Sequence, residues 1–152
     1  MLSFGRSWWM RRKRLALGPD GTAAREALAT TRVLFEEVTS RGGCTAEWFL
    51  EKERREAFRT VRDLAERRGD VKLRTAMRHV AASGDDAFAA APPTRMYIGS
   101  SDQAEALQER AQEAEDQQRF QRQVDSCNMG LKSIEEALTR LNDLERRATG
   151  HS

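Results

Sequence analysis

Chemistry in this chain has few residues to draw on, and the two histidines are the scarcest. His151 stands one residue from the end of the sequence, and His79 belongs to neither an HExxH nor an ExxH pattern. The sequence therefore gives no basis for a zinc or di-iron helix bundle, and no metal ligand set is expected. Cys44 and Cys127 lie far apart without a CxxC companion, which argues against a disulfide framework and a thiolate site. Cys127 falls on an apolar seam and reads as a small buried hydrophobe. Cys44, beside Gly42-Gly43 at a helix start, reads as a thiol whose pKa a helix N-terminus could lower. No glycine-rich phosphate loop is present, and Gly99-Ser100-Ser101 reads as a helix cap. We expect no catalytic residues, no cofactor and no small-molecule substrate, and so no enzyme.

Two basic segments could bind anions. Trp8 and Trp9 followed by Arg11, Arg12, Lys13 and Arg14 combine indoles, which favour the headgroup level of a bilayer, with cations that attract anionic lipid. That pattern suits a membrane-surface contact, and equally a tail that covers one end of the fold. Residues 64–80, with Gly69 at a turn and Arg74 and Arg78 beyond it, have a loose helix-turn-helix spacing that would place both arginines toward nucleic acid. An αα-hairpin with the same arginines solvated needs no ligand, and we favour it. On the preceding helix Glu51 with Arg55, Arg59 with Asp63, Arg62 with Glu66 and Asp63 with Arg67 are opposite charges at i and i+4. This predicts a self-paired face that leaves only Arg54 and Arg68 free.

The elements that must position these residues are helical. The chain has 152 residues, 33% of them charged, and a net charge of only +2. Alanine, glutamate, glutamine and arginine dominate, all good helix formers, and no stretch reads as a strand. Up to Val80 there are 18 basic and 11 acidic residues, and after it 8 and 13, so the halves carry +7 and −5. That asymmetry lets the halves attract each other, within the fold or across a dimer. Arginine outnumbers lysine heavily, as a GC-rich genome produces, so the arginine count alone does not signal phosphate recognition.

Along the chain we expect a basic aromatic tail (1–19), a three-helix segment (20–84), an Ala/Pro/Gly linker (85–101), a long C-terminal helix (102–149) and a short frayed end (150–152). Ala24, Ala27, Leu28, Thr31, Leu34, Phe35 and Val38 recur at spacings of three and four and predict one buried helical stripe. Thr45 is placed to cap a helix reaching Arg68, and Asp70 to cap a shorter one ending before Gly84. Pro92-Pro93 forbids continuation, and Asp102 with Glu105 resembles a capping box.

The most regular feature is Phe120, Val124, Cys127, Leu131, Ile134, Leu138 and Leu141, which alternate spacings of four and three. Leu107, Ala111 and Ala114 follow a shifted stripe. Gly130 leaves the phase unchanged, which favours one continuous helix of roughly 70 Å, against roughly 20 to 35 Å for the others. Either it folds back near Gly130 to complete a four-helix bundle, or its seam pairs with a second chain.

The expected architecture is all-α: a short three-helix bundle or helical hairpins plus one long heptad-bearing helix. The expected function is that of a non-enzymatic interaction or scaffold protein associating through those seven seam residues, with another copy or another helical protein. Alternatives are a membrane-surface adaptor using the N-terminal tail and a nucleic-acid binder using residues 64–80. Without an apolar run of about 18 residues the chain is expected in the cytoplasm, with the inner face of a membrane as its one membrane contact.

Overall fold

The computed structural model describes residues 19–67, 69–95, 99 and 101–148. These form five helices: α1 (Pro19–Arg41), α2 (Ala46–Leu50), α3 (Lys52–Glu66), α4 (Val71–Ala90) and α5 (Gln103–Ala148). No strand occurs among the described residues. The protein is all-α, with α1, α3, α4 and most of α5 arranged as an up-and-down four-helix bundle. Packing follows a ring in which α1 and α4 each contact both α3 and α5. Side-chain pairs fix the directions. Arg25 meets Glu145 and Arg32 meets Glu135 along α1 and α5. Asp70 meets Arg140 at one end of the α4–α5 pair, while Gln123 reaches Ala87 at the other. Glu66 meets Arg78, and Arg62 meets Asp85, between α3 and α4.

The periodic stripes predict the core. On α1, Ala24, Leu28, Thr31, Phe35 and Val38 are fully buried, and the Thr31 hydroxyl donates to the Ala27 carbonyl (2.8 Å). On α4, Leu73, Ala76, Met77, Val80 and Ala81 face inward. Arg41 is followed by Gly42 and Gly43 at φ +73° and +123°. Gly43 N–H donates to Val38 (2.9 Å) and Gly42 N–H to Thr39 (3.2 Å), the paired bonds of a Schellman stop.

Three boundaries differ from expectation. The second helix breaks at Glu51 (ψ 135°), and the Arg54 guanidinium, stacked 4.2 Å over the Trp48 ring, donates to the Trp48 carbonyl at the end of α2 (2.9 Å). Thr45 gives α2 no side-chain cap. Finally, α4 continues through Gly84 to Ala90, because Gly84 is where Phe58 of α3 packs: a Cβ there would lie 2.8 Å from Phe58 Cδ1.

The long C-terminal helix expected from the sequence is present as α5. The helix is continuous through Gly130, does not fold back, and still completes the bundle, because its portion from about residue 116 onward is the fourth helix. Residues 103–115 project beyond the bundle and are mostly exposed. The seam is rotated toward its small side. Cys127, Ile134 and Leu141 are fully buried, and beside them lie Gln123, Gly130 and Ala137, while Leu131 and Leu138 are only partly buried.

Asp70 joins α4 to α5. One of its oxygens accepts from Leu73 N–H (2.9 Å) as an N-cap, and both accept from Arg140 (2.8 and 2.7 Å). Side-chain exposures of 22% and 16% place this pair largely out of water. The Arg140 guanidinium, foremost, and the Leu73 amide hold the Asp70 carboxyl below its ordinary pKa, against a smaller opposing effect of burial. A depressed folded-state pKa means stability that is present above the unfolded value, about 4, and lost as pH falls through the folded one. Asp70→Asn, which keeps a capping oxygen, is expected to cost about 1 to 1.5 kcal/mol at neutral pH. In urea titrations at several pH values, the gap to the native chain should shrink below pH of about 4. A gap independent of pH would mean that the charge plays no part.

Candidate functional site

Two exposed large apolar side chains, Leu50 and Phe88, come together with other aromatic rings where α2, α3 and α4 meet. Phe49 is buried and packs edge-on against Trp48 (centroids 4.8 Å), near Phe58 (6.1 Å) and Phe88 (5.8 Å). Phe88 remains 43% exposed and Leu50 49%. With Phe58 and Gly84 they line a groove of about 260 Å³ whose rim is Arg55, Arg59 and the ion-paired Arg62 and Asp85. Gly84 gives Phe58 room to lie flat against α4, which sets the depth of the floor.

The arginines here differ from the self-paired face read in the sequence. Glu51 pairs with Arg54 (3.0 Å), Arg62 with Asp85, and Glu66 takes both nitrogens of Arg78 across to α4 (3.0 and 3.1 Å). Arg54, expected to be free, is committed to Trp48 and Glu51. Glu51, the acid matched to Arg55, is taken by Arg54, Asp63 does not meet Arg59, and Arg55 and Arg59 make no ion pair among the described residues. Two unpaired guanidiniums thus border an aromatic floor that water partly wets.

Two other grooves carry less definite chemistry. One, of about 600 Å³ between α4 and α5, mixes Lys72, His79 and Arg140 with Glu135, Glu136 and Asp143, so no single charge dominates. The other, of about 560 Å³, lies along the base of the α5 projection, where Arg95 meets Asp116 (3.7 Å). Among the described residues no group of His, Cys, Asp or Glu could hold a metal.

The sequence-predicted residues distribute as follows. Cys127, Ile134 and Leu141 lie inside the chain's own core, so the centre of the seam is occupied by α1 and α4. Phe120 closes on Gly43, while Val124, Leu131 and Leu138 border the core. Arg78 is spent on Glu66, which it holds below the ordinary carboxylate pKa, and Arg74 is half-buried on the same antiparallel αα-hairpin. Trp8, Trp9, Arg11, Arg12, Lys13 and Arg14 lie outside the described residues, as does His151. No helix among the described residues is long and apolar enough to cross a membrane. For Cys44 the expected effect is reversed: burial raises the thiol pKa and outweighs the lowering by Arg41. Burial, with Cys44 adding to it, pushes Cys127 up to about 12. Both thiols are held protonated and inert.

Comparisons with family models, curated proteins and solved structures return no match. The groove's own residues therefore carry the functional reading.

What sequence reasoning missed was the groove itself. Leu50, Phe58 and Phe88 come from three helices, and each alone looks like an ordinary apolar position. The nearest signal was the Phe49-Leu50 pair followed by Arg54-Arg55, an apolar step running straight into cations.

Proposed function

We propose that this chain is a non-enzymatic interaction protein that receives an acidic amphipathic helix in the groove of α2, α3 and α4. The observation that carries this reading is the placement of unpaired Arg55 and Arg59 beside exposed Leu50 and Phe88. Aromatic residues and arginine are the types that dominate binding energy at interfaces, and an apolar helix face laid into a hydrophobic groove is a recurrent mode of recognition. A carboxylate arriving at either guanidinium gains a charge-assisted hydrogen bond without displacing an existing partner. The arginine rim then selects against basic helices of equal hydrophobicity. Association thus moves from the α5 seam, which serves the bundle, to the opposite pair of helices.

The test uses a fluorescein-labelled helical peptide with leucines at i and i+4 flanked by glutamates, and a control in which lysines replace the glutamates. Anisotropy titrations should show saturable binding of the acidic peptide, weakening as salt rises, and a loss of tenfold or more for R55E/R59E. Equal binding of both peptides, or an unchanged affinity in R55E/R59E, would overturn the reading.

A further inference from the structure

The projecting start of α5 is a second exposed surface, and its chemistry complements the groove. Ala104, Leu107, Ala111 and Ala114 recur at spacings of three and four on its solvent side, and Leu107 is 64% exposed. At about 100° per residue, Glu113 and Glu115 stand to either side of Ala114. From Asp102 to Arg119 the segment carries six carboxylates against two cations, Arg110 and Arg119, with Glu115 paired to Arg119 (3.8 Å) and Asp116 to Arg95 (3.7 Å), so it stays net acidic. It is therefore an apolar stripe on an acidic helix, held out from the bundle by a helix with no break.

We propose that the groove is filled by the α5 projection of a second copy of this chain, exchanged reciprocally in a two-fold dimer. The inference rests on the groove being a receptor for an acidic helix, and adds who supplies that helix. Three observations select this occupant. Two projections facing each other would set carboxylates against carboxylates, whereas the groove offers apolar surface with two unpaired cations. A chain cannot fill its own groove, because α5 lies diagonally across the bundle from α3 and continues straight outward.

The geometry also closes. Groove and projection lie at the same end of the bundle, as the Ala87–Gln123 contact fixes, but on opposite sides of it. A two-fold axis across that end, perpendicular to the helices, lays each projection along the other copy's groove. The dozen or so projecting residues reach about 20 Å, longer than the two turns of α3 from Arg55 to Arg62. Both exposed surfaces are then used and the assembly stops at two.

Light scattering on the eluting full-length chain over a concentration series should give twice the 17.2 kDa chain mass. R55E/R59E and E113R/E115R should each elute at the single-chain mass with unchanged helicity, since all four positions are exposed. An equimolar mixture of the two variants should regain the dimer, because each contact in the mixed pair again joins opposite charges. A native chain that stays at 17.2 kDa, or two monomeric variants that fail to recombine, overturns the proposal. The E113R/E115R variant keeps the groove intact. If it binds the acidic peptide while the native chain remains monomeric, the receptor reading stands and the second copy is not its occupant; if it does not bind the peptide, both fall.

Discussion

Replacing Gln123 with leucine is expected to lower the unfolding free energy by roughly 3 to 5 kcal/mol, a large share of the 5–15 kcal/mol typical of a domain. Gln123 is fully buried in the middle of α5, one step off the apolar seam in the row it shares with Gly130 and Ala137. Its amide is saturated by the backbone of two other segments. The carbonyl oxygen accepts from Cys44 N–H (2.6 Å), and the Nε2 group donates to Cys44 (3.0 Å) and Ala87 (3.0 Å). The Ala87 carbonyl is available because the end of α4 tightens, Ala91 N–H turning to Phe88 (3.0 Å). Cys44 has no helical partner because it lies between the stop of α1 and the start of α2. Leucine fills similar volume but leaves one donor and two acceptors buried without partners, each costing about 1 to 3 kcal/mol.

Gln123→Glu separates hydrogen bonding from size. A carboxylate still accepts from Cys44 but opposes two carbonyl oxygens, so burial and repulsion raise its folded-state pKa. Stability lost at neutral pH should partly return as pH falls and the acid protonates. Urea titrations followed by circular dichroism at neutral and mildly acidic pH check both variants. A leucine variant within 1 kcal/mol of the native chain would show that water or relaxed backbone replaces the amide.

Gln123 also marks the limit of what could be read from the sequence. Amphipathic periodicity exposed the inward stripes of α1 and α4 because each alternates large apolar with polar residues at helical spacing. On α5 the same rule found Cys127, Ile134 and Leu141 but weighted the largest residues, whereas the rest of the buried face is the small and polar row of Gln123, Gly130 and Ala137. Which row faces inward depends on what the partner helices bring, and that information sits on α1 and in the turn at Cys44. The break at Glu51 was illegible for the same reason, since neither glycine nor proline marks it and the Arg54–Trp48 contact holds it. The groove was hidden by i to i+4 matching, which assigned to Arg55 and Arg59 acids that do not meet them. In each case local pattern gave the element and tertiary competition decided the partner.

Gly130→Ala turns that competition into a measurement, because propensity and packing predict opposite signs. In a helix interior alanine is favoured over glycine by about 1 kcal/mol, and Gly130 lies far from either end of α5. A Cβ at that position would lie 2.4 Å from Cε2 and 2.9 Å from Cδ2 of Phe35. Phe35 is fully buried and backed by Phe58 at 5.8 Å between ring centroids, so its ring has little room to retreat. Overpacking of this kind costs about 1 to 3 kcal/mol, and more where a rigid ring must carry its neighbours with it. We expect a net loss of about 2 kcal/mol, the packing cost exceeding the gain in propensity. Phe35→Leu removes the obstructing ring at its own cost in lost burial. In the double variant the Cβ occupies space that the ring has vacated, so the two losses should combine to less than their sum by about 1 kcal/mol or more. A denaturant cycle over the four proteins gives the coupling directly. If Gly130→Ala instead stabilises the chain, α5 and α1 do not approach this closely, and Gly130 is merely a tolerated weak point in a long helix. If the loss and the coupling both appear, the glycine is what lets the largest side chain of α1 seat against the fourth helix, and the seam is an internal joint of this chain.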